Sequence, residues 1–399
     1  MPKLTPAGAL TLVFACAALH AAGQGPAYDL PALMAAAEEH ALPLAELRGE
    51  ARIARAAIPT ARRWADPAVD YLYDANNLNP ENIALHVGGL SHTFALGRPS
   101  AARADLYAVR AARVDQLADL ERARIRSAVA ADYNQLVDAR IRLTGFAESD
   151  SLYTLMLEAA EEEHRDTDAL QVAIARAERI ATRADLLDAR KAERTALAAL
   201  RDRCGLAPEA TVVTRRIDVD DSLAAAITEG LRAHYAYLAS ERSAALALTL
   251  AEGQPALTVG LFNGFDPTNS TDQWTPGVSA AMTLPVWRAQ RRADRELAAV
   301  EIAVIEDLAR RQLANRARAL RALDTRARVA EEALEDLKGD ASAAREALLA
   351  QGTAAFRRGE LNQLEYLELL EVARTLRSAI LQAEADAQAA ELDAAYFVD

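Results

Sequence analysis

Proline is absent from two long stretches of this chain, Ser100–Ala207 and Val286–Asp399. They hold 108 and 114 residues, more than half of the 399, and all fourteen prolines lie outside them. Proline removes a backbone donor and clashes with the preceding helical turn, so tracts this long without it can be continuous helix. Composition agrees. Apolar residues make up 51% of the chain, but only 5% of residues are aromatic. Alanine carries much of the apolar fraction, and with Arg, Glu and Leu it suits long helices packed at close distance better than one thick globular core. The reading is a mainly α protein with a small β part.

In the first tract the eight gaps between Leu106, Val109, Val114, Leu117, Leu120, Ile125, Val129, Tyr133 and Leu136 sum to 30, a mean of 3.75. That is helical spacing. The run from Glu161 to Asp168 is polar throughout, and a second stripe from Leu170 to Leu187 leads to Cys204-Gly205-Leu206-Ala207-Pro208, a helix stop. Cys204 reads as a small buried residue near that helix end. The tract therefore gives long helices over about 98–164 and 168–204. Upstream, Asp29-Leu30-Pro31 starts a helix that runs to about Trp64, with Pro43 and Pro59 as expected interruptions. Alternating strands at about 68–74 and 83–96 flank the turn Asn76-Asn77-Leu78-Asn79-Pro80.

The whole order then recurs. Asp221-Ser222 caps a helix over Leu223–Glu252, strands follow at about 256–264 and 277–284, and long helices at about 286–356 and 361–397. Pro67 and Pro255 are 188 residues apart, Arg98 and Arg288 are 190 apart. The chain is thus two structural repeats, 23–208 and 209–399, each of helix, β-hairpin and long helical hairpin. Each helical arm is roughly 100 Å long at 1.5 Å per residue, so the arms are expected to stand side by side and bury their stripes against one another.

Residues 1–22 read as an export signal: Lys3, an apolar run from Ala7 to Ala18, and small residues at Ala21-Ala22-Gly23. Cys16 follows Val13-Phe14-Ala15 and is a candidate lipidation site. A net charge of -13 argues against nucleic acid as a partner. No phosphate loop, metal-ligand spacing or catalytic constellation is legible, so no enzyme activity and no cofactor are expected. His86 and His92 share one face of a strand, and both available readings, a metal-touching lumen or a polar pore lining, put them inside a pore.

Strands of about ten residues match the length needed to cross a bilayer as β-structure. A sheet in lipid must close, and four strands per chain become twelve in three copies. The alternative is a periplasmic coiled-coil scaffold or adaptor carrying a soluble β-cap.

Several segments in this order resemble the TolC-type outer-membrane efflux factors. Leu90-Ser91-His92-Thr93-Phe94-Ala95-Leu96-Gly97-Arg98 resembles the end of that family's first hairpin, and Leu284-Pro285-Val286-Trp287-Arg288 the close of its second. Ala198-Ala199-Leu200 through Gly205-Leu206-Ala207-Pro208 resembles the end of its first helical hairpin, and Gly359-Glu360-Leu361-Asn362-Gln363-Leu364-Glu365-Tyr366-Leu367 its second helical tip. The two hairpin endings look most like the heavy-metal (CzcC-like) branch. The resemblance implies a homotrimer forming a 12-stranded β-barrel in the outer membrane of a Gram-negative-type cell, continued by a periplasmic α-helical barrel. It further implies a passive exit duct that meets a periplasmic adaptor protein and, through it, an inner-membrane pump. On that basis Asp166, Asp168, Glu360, Glu365 and Glu368 are candidates for acidic rings at a periplasmic gate, and Arg358, Gly359 and Leu361 for adaptor contact.

Overall fold

Helix-favouring sequence uninterrupted by proline does form helices of exceptional length. The computed structural model describes residues 27–76, 83–162, 169–215, 222–266, 273–283 and 288–398. In chain order the elements are β1 (Ala27–Tyr28), α1 (Leu30–His40), α2 (Leu42–Ala61), β2 (Ala68–Asn76), β3 (Ile83–Ala95), α3 (Pro99–Glu162), α4 (Ala169–Arg203), β4 (Thr211–Val212), α5 (Ser222–Glu252), β5 (Ala256–Asp266), β6 (Gln273–Thr283), α6 (Arg288–Arg357) and α7 (Gln363–Tyr396). Strand β5 starts 188 residues after β2, β6 starts 190 after β3, and α6 starts 189 after α3. The internal repeat is therefore a repeat of structure as well as of pattern.

Local rules explain most element ends. Asp29 caps α1 by accepting from the Ala32 amide at 3.2 Å, with proline in the first turn. The expected interruption near Pro43 is present: α1 ends at His40, Ala41 is extended, and Pro43 sits in the first turn of α2, where its missing N–H costs nothing. Pro59, by contrast, does not stop α2. It lies in the last turn, and the helix ends two residues later at Ala61. Helix α4 closes at Gly205, whose φ of 62° lets the Leu206 amide reach back to the Arg201 carbonyl at 2.9 Å. A Cβ at Gly205 would lie 2.7 Å from the His40 ring, so glycine is required there twice over. Strand β6 extends beyond the expected start at Gly277, back to Gln273, and carries Pro276 opposite Asn263. Proline is tolerated because β6 is an edge strand, whose outer side has no ladder to donate to.

The chain divides into two compact units. The first comprises residues up to Leu44, Glu121–Thr228 and Asn315 onward. Its main core joins Leu30, Leu33 and Met34 of α1 to Val129, Tyr133 and Leu136 of α3, Leu200 of α4 and Leu392 of α7. Cys204 is buried in the same cluster, and burial pushes its thiol up to about 11. A two-residue parallel bridge, Ala27 with Thr211 and Tyr28 with Val212, is too short to leave a sequence signal. It is held by Tyr133, whose hydroxyl donates to the Arg215 carbonyl at 3.1 Å, and by Arg140, which donates to the Val212 carbonyl at 2.8 Å.

The second unit comprises Ala45–Leu120 and Glu229–Ala314. It contains one four-stranded antiparallel sheet in the order β2-β3-β5-β6, so the two distant hairpins join through β3 and β5. Ion pairs tie α3 to α5 beneath the sheet: Arg103 with Glu252 at 2.7 Å, and Glu241 with Arg110 at 3.0 Å and Arg113 at 2.5 Å.

Candidate functional site

The sheet has two unlike faces. Register places Val69, Leu90, Leu261 and Val278 in one row across all four strands. These side chains are 82%, 50%, 61% and 70% exposed, so the row is an open apolar band. Phe94, Leu257 and Met282 form a second row on the same face. The opposite face is mostly small and polar, with Leu72 and Phe262 as its large apolar side chains. Ser91 donates to Asp70 at 2.8 Å, and the Thr93 and Thr258 hydroxyls meet at 2.9 Å. Gly260 lies beside Ser91 and Ser279, and the Phe262 ring occupies the space a Cβ at Gly277 would need. An apolar band on one face and a more polar opposite face are the pattern of a barrel wall between lipid and water. Both outer strands, β2 and β6, lack a second neighbour among the described residues; such open edges are ready to pair.

His92 corrects the sequence reading. Its ring lies on the apolar face, 6.1 Å from Trp64 in a stacked arrangement and 4.5 Å from Phe94 edge-on. Trp64 and Phe94 also meet edge to face at 5.8 Å. His92 shares parity with Leu90 and Phe94 in β3, which turns it away from the polar face and so away from any lumen that face would line. The backbone of His86 pairs in the same strand. No cluster of three or more metal-ligating side chains occurs among the described residues, and no described helix is long and apolar enough to cross a membrane.

The tip between α6 and α7 is built from local interactions. Gly359, with φ 75°, ends α6 and lets the Glu360 amide bond back to the Ala355 carbonyl at 2.9 Å. Asn362 caps α7: its side chain accepts from the Glu365 amide at 2.9 Å, while the Glu365 carboxylate accepts from the Asn362 amide at 2.8 Å. Phe356 stacks on Tyr366 across the turn, with centroids 4.4 Å apart. Beneath them Tyr153, Leu157, Ala175 and Leu370 bring α3, α4 and α7 together.

Among the candidate gate acids, Glu360 is therefore engaged with Arg358, which donates from Nε at 2.7 Å and Nη2 at 2.8 Å. Those hydrogen bonds hold the Glu360 carboxyl below the usual carboxylate range. Glu365 is committed to the capping box, and Glu368 is exposed one turn further on. Arg358, Gly359 and Leu361, the candidate adaptor contacts, sit on the same turn. Asp166, Asp168 and Cys16 lie outside the described residues. Sequence reasoning placed the acids at the tip but missed the reciprocal cap, although Asn362 followed three residues later by Glu365 is its signature.

No protein-family model matches this sequence, and no curated protein does either. Solved structures match over almost the whole chain. CusC, studied for the conformational changes that accompany folding and transmembrane channel formation, aligns with a TM-score of 0.70 at 13% identity, over 92% of this chain and 91% of that one. The fold is that of solved outer-membrane channel proteins. The outer membrane protein VceC of Vibrio cholerae aligns at 0.67 with 15% identity, covering 92% and 95% of the two chains. The open MtrE outer membrane channel of Neisseria gonorrhoeae aligns at 0.69 with 14% identity, covering 92% and 88%. Identities this low carry the fold alone.

Proposed function

We propose that this protein is the outer-membrane channel of a tripartite efflux system, a passive exit duct supplied by an inner-membrane pump through a periplasmic adaptor. The observation that carries the reading is the two-faced sheet with both edges open. A soluble β-cap would leave the Val69–Leu90–Leu261–Val278 row in water, whereas a barrel wall puts it in lipid. Closing the edges with identical sheets gives twelve strands in a trimer. An exposed stripe on α6 (Leu297, Val300, Val304 and Leu308) supports packing against another copy. Trp64, His92 and Phe94 at the helix end of the sheet suit the membrane–water interface, where amphipathic rings gather. The periplasmic part is the long helices. The heavy-metal branch is the finer assignment, resting on the Gly97-Arg98 and Leu284–Arg288 endings.

The purified protein should require detergent, sediment with outer membranes and run as a trimer. In planar bilayers it should conduct, and Asp168→Asn combined with Glu360→Gln should lower its preference for cations, because carboxylate rings favour them. A soluble monomer sinks the channel reading; unchanged selectivity sinks the acidic gate alone. The adaptor contact is placed at the Arg358–Asn362 turn. A cysteine at Leu361 should crosslink to an adaptor protein in cells expressing the full system, and absence of crosslinks from every position of the turn would remove docking from this tip.

A further inference from the structure

We propose that a cavity of about 410 Å³ between α3, α6 and α7 binds an amphipathic organic anion, one with a carboxylate or phosphate head and a compact apolar body. The cavity lies wholly within the first unit. It exists because short side chains face one another there: Gly145 and Ser149 on α3, Thr375 and Ser378 on α7. The three hydroxyls already donate to carbonyls of their own helices, Ser149 to Gly145, Thr375 to Glu371 and Ser378 to Thr375, each at 2.9 Å. The donors left for a ligand are guanidinia.

Four arginines line the space, Arg142, Arg345, Arg374 and Arg377, against a single carboxylate, Glu148. Arg142 is engaged by Asp138 at 3.1 Å, one turn away. Glu148 is shared at long range: Nη2 of Arg345 and Nη2 of Arg377 each stand 3.4 Å from it. The Nε atoms of both arginines are buried without a hydrogen-bond partner; that of Arg377 is 3.3 Å from Glu148 but not aligned to donate. Arg374 has no hydrogen bond or ion pair among the described residues. Buried guanidinium donors left unpaired are costly, and an anion would satisfy them. Ile141, Phe146, Leu152 and Leu381 supply the apolar wall, and a mixed lining of this volume is the size of a small-molecule site. The cavity involves neither the sheet nor the tip, so the site stands whether or not the chain forms a channel.

Calorimetric titration of the full-length protein in a non-ionic detergent with 1-naphthyl phosphate tests it, with 1-naphthol and inorganic phosphate as probes of the two halves. The phosphate ester should bind, and each half alone should bind at least about tenfold more weakly. Arg374→Gln should weaken the ester about tenfold, the loss of one charge-assisted contact. Glu148→Gln should tighten it about threefold by removing the internal competitor, a gain that damage to the helix packing does not produce. Arg190→Gln, on the exposed basic side of α4, should change nothing. No binding by the folded protein, equal binding of 1-naphthol, or weaker binding in Glu148→Gln would each overturn the proposal.

Discussion

Replacing Arg316 with alanine should loosen the C-terminal end of α7 by about 3 kcal/mol, the scale for removing a hydrogen-bonded buried charged group and leaving its partners behind. Arg316 is only 1% exposed, on a helix whose neighbouring arginines lie in solvent. Its guanidinium donates to the Phe397 carbonyl at 2.8 Å, to Thr228 Oγ1 at 2.9 Å and to the Ala224 carbonyl at 3.4 Å, and it sits 5.4 Å from the centroid of the Phe397 ring. One side chain thus joins α5, α6 and the residue that ends α7. Ala224 keeps other donors in its helix, including the Thr228 hydroxyl at 2.8 Å, whereas the Phe397 carbonyl belongs to the C-cap of α7, where a helix leaves carbonyls without intrahelical donors. The readout is amide hydrogen exchange over the last two turns of α7, which should quicken on the order of 100-fold, the ratio that corresponds to about 3 kcal/mol. Arg316→Lys keeps the charge without the planar fork and should fall between the two. Exchange unchanged in Arg316→Ala would show that the C-terminal end is held by packing of Leu392 and its neighbours instead.

Arg316 also marks a limit of sequence reading. In α6 it is one arginine among many at helical spacing, and nothing in one sequence separates the buried one from the solvated ones. The helices themselves were legible because their cause is local: absence of proline, periodic apolar residues, capping side chains and glycines at αL stops. The hairpins were legible for the same reason, to within a few residues at their ends. What depends on pairing between distant segments was not. The join of β3 to β5 determines which residues face the same way as Leu261, and the stacking of His92 on Trp64 needs a segment from before the hairpin to be placed against β3. The β1–β4 bridge and the arginine-lined cavity have the same origin, since each needs segments well over a hundred residues apart to be placed together. At the tip, Glu360 and Glu365 were found as acids but their partners, Arg358 and Asn362, define what those acids do locally.

The sheet register makes the largest effect of a single substitution a matter of parity. Leu261→Arg puts a charge in the centre of the apolar row, between Leu90 and Val278. If that face meets lipid, the cost is about 2–4 kcal/mol per chain, and identical chains in one assembly each incur it. The variant should fail to accumulate as a heat-resistant trimer in outer membranes. Ser279→Arg is the paired experiment. Ser279 is exposed on the neighbouring strand but on the opposite face, beside Gly260. An arginine there stays in water, so assembly should be retained, and single-channel conductance should fall as the side chain enters the passage. The contrast between two arginines on adjacent strands removes general effects of charge, size and β-propensity, leaving the direction of the side chain as the difference. Normal assembly of Leu261→Arg would remove that face from the membrane and with it the barrel. Failure of both variants would instead place lipid or a partner on both faces, which a water-filled barrel does not allow.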